Sequence, residues 1–236
     1  MCFNQKISGS LALFGVVLLV LNHKYPSKDN NYLKIIIIFY TLMETLQTIQ
    51  YSLVNNCDSV NRFFTEISYI FVIVQPLMWN WIFLHKKRTN KLKNVHKGIL
   101  QLAIVLCAIW IFANILRRFK FYSNYNPSKN NDNLQNETLT GSTTCTYQKN
   151  DEHLYWNYEM FSIPGADANW FMYLVLWCIP GLLINEFISI FGIFIGLFIS
   201  YIYIKVKKQS HHIMPSLWCL ISIPTLLINT FAYYKF

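Results

Sequence analysis

Seven apolar stretches run through this chain, and most of the gaps between them are short and basic. They are Ser8–Leu21, Tyr32–Val54, Phe63–Leu84, Gly98–Leu116, Asn169–Ile184, Phe187–Ile204 and Pro215–Tyr234. A hydrocarbon core about 30 Å thick is crossed by roughly 20 helical residues, so each stretch is read as a candidate span. Only 13% of the residues are charged and 54% are hydrophobic, against about 25% charged in an ordinary soluble domain. Such a chain cannot cover itself with polar surface in water. That excludes a soluble enzyme, a disordered tail and a disulfide-stapled secreted mini-domain. The expected fold is all-α: one polytopic transmembrane helix bundle occupying residues 1–236.

The formal charge of +9 would point to nucleic acid in a soluble protein. Here the basic residues mostly sit between apolar runs, where they act as topology signals. The expected partner is therefore the lipid bilayer and not nucleic acid. The densest basic run is His85-Lys86-Lys87-Arg88 with Lys91, Lys93 and Lys97, and it is assigned to the cytosol. Alternation then puts Lys24, Lys28 and Lys34 on the same side, and the N-terminus and the segment 118–168 outside. Asn136-Glu137-Thr138 is a glycosylation sequon, usable only on an external or lumenal face. Lys205, Lys207 and Lys208 oppose this assignment, because they fall outside in the same scheme.

Two regions leave alternatives open. Lys6 followed by a compact apolar run also suits a signal peptide, but no small-x-small cleavage site follows Leu21. Pro180-Gly181 and Asn185-Glu186 interrupt the fifth and sixth stretches. Two short spans turning at Asn185-Glu186 are expected there; a re-entrant segment at 169–181 before one longer span is the rival. The external segment opens with Asn-, Ser- and Lys-rich text, which buries too little to order itself. It turns aromatic at Tyr155-Trp156-Asn157-Tyr158, side chains that favour the membrane interface.

The polar residues inside spans carry the functional reading, since an ionisable group in the bilayer is costly and marks a site by default. Glu44, Gln47 and Tyr51 share one face of the second span, with Glu44 near mid-depth. Gln75, beside Pro76, lies at a comparable depth in the third span and is expected to meet Glu44. Glu66 is half a turn away from Gln75 and serves a different place. Asn80, Gln101, Asn114 and Asn229 are further in-span amides. The amides read better as glue between helices, where each contributes about 0.6 kcal/mol; for Glu44 the two readings stand level.

Cys57 and Cys145 both fall in external loops and are expected to form a disulfide, with Cys2 and Cys219 a second candidate pair. Cys107 and Cys178 lie in spans as small apolar fillers. No histidine is expected deep in a span: His23, His85 and His96 are assigned to the cytosol, and His153, His211 and His212 to external or interfacial positions. No Cys-x-x-Cys or His-Glu-x-x-His spacing occurs, so no metal and no cofactor are expected. The last span has no lysine for a retinal Schiff base. The Asp-Arg-Tyr and Asn-Pro-x-x-Tyr motifs of G-protein-coupled receptors are also missing.

The chain opens Met1-Cys2-Phe3-Asn4 and then has Ile7-Ser8, Met43-Glu44 with Gln47, and Gln75-Pro76. His153-Leu154-x-Trp156-Asn157 and Ser216-Leu217-Trp218-Cys219 follow. This order resembles a family of seven-span membrane proteins found in bacteria and in giant DNA viruses of the mimivirus type. Those chains begin Met-Cys-Phe or Met-Cys-Trp and carry Ser-x-Trp-Cys near the last span. The resemblance implies seven spans, and a host-cell or virion membrane, but no activity. Bacterial members show a Gln-Gln pair before the second-span glutamate, from which this chain departs. The leading expectation is a small-molecule, ion or proton binding or transport protein with its site at Glu44, Gln47, Gln75 and Tyr51. A scaffold protein follows it. A membrane-embedded enzyme comes third, because no catalytic constellation can be assembled.

Overall fold

The first helix starts where Asn4 can cap it: its side-chain oxygen accepts a hydrogen bond from Ile7 N at 3.0 Å, filling one of the orphan donors of a helix start. The computed structural model describes residues 4–26, 30–54, 56–85, 90–118, 144–148, 154–157, 176 and 187–207. Over these residues the chain forms α1 (Gln5–Lys24), α2 (Asn30–Gln50), α3 (Ser59–His85) and α4 (Asn90–Arg118). Two short strands follow, β1 (Cys145–Gln148) and β2 (Leu154–Asn157), which pair in a two-stranded sheet, and then α5 (Phe187–Lys207). The all-helical expectation therefore holds apart from this small sheet. The expected span 215–234 with the Ser216–Cys219 motif, the expected span 169–184 apart from Leu176, and most of segment 118–168 lie outside the described residues. Among the described residues, three helices are long and apolar enough to cross a membrane: Gln5–Lys24, Asn31–Gln50 and Lys93–Phe112.

Helix boundaries differ from the hydropathy reading where polar residues continue a helix. α4 begins at Asn90, well before Gly98, so Lys91, Lys93 and Lys97 belong to its first turns. α2 ends at Gln50, and Tyr51 to Val54 form turns instead of a last helical stretch. There Ser52 N bonds Ile49 O and Leu53 N bonds Gln50 O, the tighter spacing that often finishes a helix. Asp58 then caps α3, its Oδ1 accepting from Val60 N at 3.0 Å and Asn61 N at 2.8 Å.

The chain divides into two units. The first comprises Met1–Phe64, Thr146–Tyr155 and Phe191–Phe236. Here α1 packs antiparallel on α2: Gln5 Nε2 donates to Thr48 O at 3.2 Å, while further along Gly15 meets Thr41. The buried residues of α1 include Ser8, Gly15 and Asn22, each seven apart, which makes one stripe of small or short side chains. Small residues let two helices approach closely, and the fit is tight at Gly15: an added Cβ there would overlap Thr41 Oγ1 and lie 3.1 Å from its Cβ. The outward face of α1 carries Leu13, Val16, Val17 and Val20, with Leu13 70% and Val20 63% exposed.

The second unit comprises Thr65–Cys145 and Trp156–Ile190. Its core joins Tyr69 and Ile73 of α3 to Ala103, Leu106, Cys107 and Trp110 of α4, with Leu176. Pro76 sits inside α3 and removes the amide that would have bonded the carbonyl four residues earlier. Polar side chains serve the backbone nearby. Cys107 Sγ donates to Ile73 O at 2.9 Å, and Asn80 Nδ2 donates to both Pro76 O (2.8 Å) and Leu176 O (2.7 Å). Leu102, Ile104, Val105 and Phe112 line the outward face of α4.

Candidate functional site

The residues Leu33, Ile37, Tyr40, Glu44, Gln47 and Tyr51 recur at alternating steps of four and three along α2 and its C-terminal turn, and all are buried. That alternation is the seam a helix presents to its neighbours. The seam is apolar in its first half and polar in its second. Glu44 is 1% exposed and Gln47 is 0% exposed. Gln50, one turn beyond Gln47 on an adjoining track, is buried too. Three of the four expected site residues, Glu44, Gln47 and Tyr51, thus lie on one buried stripe. The fourth, Gln75, is buried on α3 in the other unit.

Two threonine hydroxyls of α2 bond its own backbone. Thr45 Oγ1 donates to Thr41 O and Thr48 Oγ1 to Glu44 O, both at 2.8 Å. Ser200 of α5 does the same to Gly196 O at 2.6 Å. This back-bonding needs no water, which suits a helix in an apolar medium.

Past Gln50 the stripe reaches strand β1. Gln50 Nε2 donates to Thr146 Oγ1 at 3.1 Å, between two buried side chains. The backbone of Thr146 is held by Asn61, near the start of α3. Thr146 N donates to Asn61 Oδ1 at 2.8 Å, and Asn61 Nδ2 donates to Thr146 O at 3.0 Å. The same Nδ2 also donates to Leu53 O at 2.6 Å. An amide side chain carries one acceptor and two donors in a plane, and here it pairs with Thr146 as a neighbouring strand would. Asn61 therefore ties the turn after α2, the start of α3 and β1 into one joint.

Cys57 and Cys145 are each disulfide-bonded, whereas Cys107 is a free, buried thiol. Cys57 belongs to an exposed residue position and Cys145 to a fully buried one. The sequon at Asn136 and the cysteines Cys2, Cys178 and Cys219 lie outside the described residues.

α3 holds a second set of buried polar side chains: Thr65, Glu66, Ser68, Gln75 and Asn80. Glu66 and Gln75 do lie half a turn apart, yet both are buried, so α3 is covered on opposite sides. His96 corrects the sequence reading. Assigned there to a cytosolic loop, it is a fully buried residue of α4, because the helix extends back through the basic run. Gln101, by contrast, is exposed. Among the described residues no group of three or more His, Cys, Asp or Glu side chains is placed to hold a metal ion.

Asn61, Gln50 and Thr146 are the residues that sequence reasoning passes over. The one available signal was β-propensity: Cys145-Thr146-Tyr147 and Leu154-Tyr155-Trp156 are rich in the branched and aromatic side chains that strands favour.

These features define a helical protein with polar side chains turned inward and apolar ones outward on several helices. The chain matches a family of unknown function, DUF5765, over residues 6–235, and it belongs to that family. It is also similar to an uncharacterised protein of Acanthamoeba polyphaga mimivirus, 26% identical, with 99% of this chain and 96% of that protein covered. No solved structure matches it.

Proposed function

We propose that this is a multi-pass integral membrane protein, with seven spans and an external N-terminus, whose α2 stripe forms a mid-membrane site for a proton, an ion or a small polar molecule. The observation that carries this reading is the full burial of Glu44 and Gln47 on one stripe, beside outward faces made of Leu, Ile, Val and Phe. Water would favour the reverse distribution, with polar groups out and apolar groups in. Lipid favours this one, because acyl chains solvate the outer faces and an ionisable group is tolerated only toward the interior. Charges cluster at helix ends. Lys24 lies over the Tyr25 ring at 5.5 Å and Lys205 over the Tyr201 ring at 5.6 Å, pairings that suit a membrane interface. The viral relative supports a host-cell or virion membrane as the location.

The pairing of Cys57 with Cys145 expected from the sequence is kept in this reading, and each of the two is disulfide-bonded. A disulfide belongs to an oxidising compartment, which supports an external C-terminal end of α2, in keeping with the basic run at 85–97 on the other side.

The rival reading makes the buried polar groups glue, and Asn80, bridging α3 to Leu176, is an example of such use. The two readings part at Glu44→Gln, which keeps the shape and removes the titratable proton. In proteoliposomes with an internal pH dye, a proton-linked site predicts at least a tenfold loss of proton flux with the thermal midpoint within a few degrees of wild type. Unchanged flux with a lowered midpoint would assign Glu44 to packing.

A further inference from the structure

We propose that Lys93, Lys97 and Gln101 of α4 hold the headgroup of an acidic phospholipid on the outer surface of the helix. The three follow one another every four residues and all are exposed, so they form a ladder along one side of α4. Val105 continues the same step, Ile104 and Phe112 flank it, and these three are exposed as well. His96, Ala103, Cys107 and Trp110 take the opposite side and are buried. The ladder therefore runs straight into the apolar outward face of α4. It does not turn toward the core.

The site rests on the membrane reading, in which that outward face meets lipid. Lys93 opens the 20-residue stretch that is long and apolar enough to cross a bilayer. At 1.5 Å per residue, Lys97 and Gln101 lie about 6 Å and 12 Å further along the axis, on the lipid side of the span. A lysine so placed runs its alkyl stem along the helix and carries its ammonium back to the headgroup layer. Phosphate is the anion it meets there. The helix offers no other, because α4 contains no Asp or Glu. Lys24 and Lys205, at other helix ends, each lie over a tyrosine ring, and α4 contains no Tyr either. Lys93 also stands in the first turn of α4, where the helix dipole favours an anion.

Gln101 sets the orientation of the lipid. An exposed primary amide in hydrocarbon lacks acceptors for its two N–H groups. The ester carbonyls of a glycerophospholipid supply them, and they lie below the phosphate by roughly the 6 Å that separate Lys97 from Gln101. Gly98, on the adjoining track, is exposed, and an added Cβ there would meet nothing within 4 Å. The glycerol can thus come close to the helix beside the ladder. Two ammonium groups against one phosphate select an acidic headgroup over a zwitterionic one, whose own cation competes for the same oxygens.

The test uses the full-length protein with its free thiols replaced by serine and a bimane fluorophore at Val105→Cys, reconstituted in phosphatidylcholine vesicles. About one lipid in ten carries bromine on its acyl chains, as either phosphatidylglycerol or phosphatidylcholine. Quenching by the brominated acidic lipid is expected to exceed quenching by the brominated neutral lipid about threefold, the scale set by one or two lysines near an anionic lipid. Lys93→Gln with Lys97→Gln should bring the two lipids level. Gln101→Leu, which leaves both lysines in place, should remove at least half of the preference. Inorganic phosphate in the buffer should leave it unchanged. Equal quenching in the wild type, or a preference that survives the double lysine change, overturns the proposal. So does a preference untouched by Gln101→Leu, which would mean general attraction to a basic surface, or one abolished by phosphate, which would mean a free-anion site. Equal quenching by both lipids removes the headgroup site and keeps the membrane reading; absence of quenching by either lipid overturns both.

Discussion

Replacing Asn61 by alanine is expected to destabilise the protein by about 3–5 kcal/mol, the largest effect of any single polar substitution among the described residues. The substitution removes one side chain but takes away the partner it gives to two buried backbone groups, Thr146 N–H and Thr146 C=O, and to the part-buried Leu53 C=O. Each buried polar group left without a partner costs about 1–3 kcal/mol, and little water can reach this joint. Asn61→Asp separates geometry from chemistry. The carboxylate can still accept from Thr146 N, yet it turns acceptor against the carbonyls of Thr146 and Leu53, so it should recover little. Denaturant or thermal unfolding in detergent, with the disulfide kept intact, measures both variants. A loss below about 1 kcal/mol for Asn61→Ala would mean that the clamp is not a buried hydrogen-bond joint.

The second large effect is expected at Gly15. A side chain there must occupy space held by Thr41, whose Oγ1 and Cβ both crowd the position. Thr41 is β-branched and short, so it has little freedom to swing away. Overpacking a close contact costs about 1–3 kcal/mol and sometimes more, and Gly15→Leu should fall at the upper end. Gly9→Ala is the internal control. Its added Cβ would meet Thr48 Cγ2 at 3.7 Å, an ordinary contact. That variant should be neutral or slightly stabilising, since alanine is the better helix former. Equal behaviour of the two variants would contradict the close approach of α1 to α2 at Gly15.

How much of this was legible in the sequence depended on the range of the interaction. Glu44, Gln47 and Tyr51 could be put on one face because helical spacing is local, and the structure buries that face. The start of α4 was misplaced because hydropathy registers where lysines stop, not where the helix begins. His96 was lost with it: a histidine between Lys93 and Lys97 reads as loop, yet the helix turns it inward. The Asn61 joint was not legible at all. It links positions 85 residues apart, and its partner is backbone, which leaves no trace in side-chain types. Cys57 and Cys145 were legible as disulfide cysteines because both fell in segments assigned to an oxidising side, and each is disulfide-bonded.

The central claim is that the outward apolar faces meet lipid while the polar stripe of α2 is turned inside. Spin labels at Val17 of α1 and Val105 of α4, both exposed positions, test it most directly in the reconstituted full-length protein. Relaxation by oxygen, which concentrates in the hydrocarbon, is compared with relaxation by a water-soluble nickel chelate. Strong relaxation by oxygen and little by nickel at both positions is the predicted result. Relaxation dominated by the nickel chelate would put these faces in water and contradict the account.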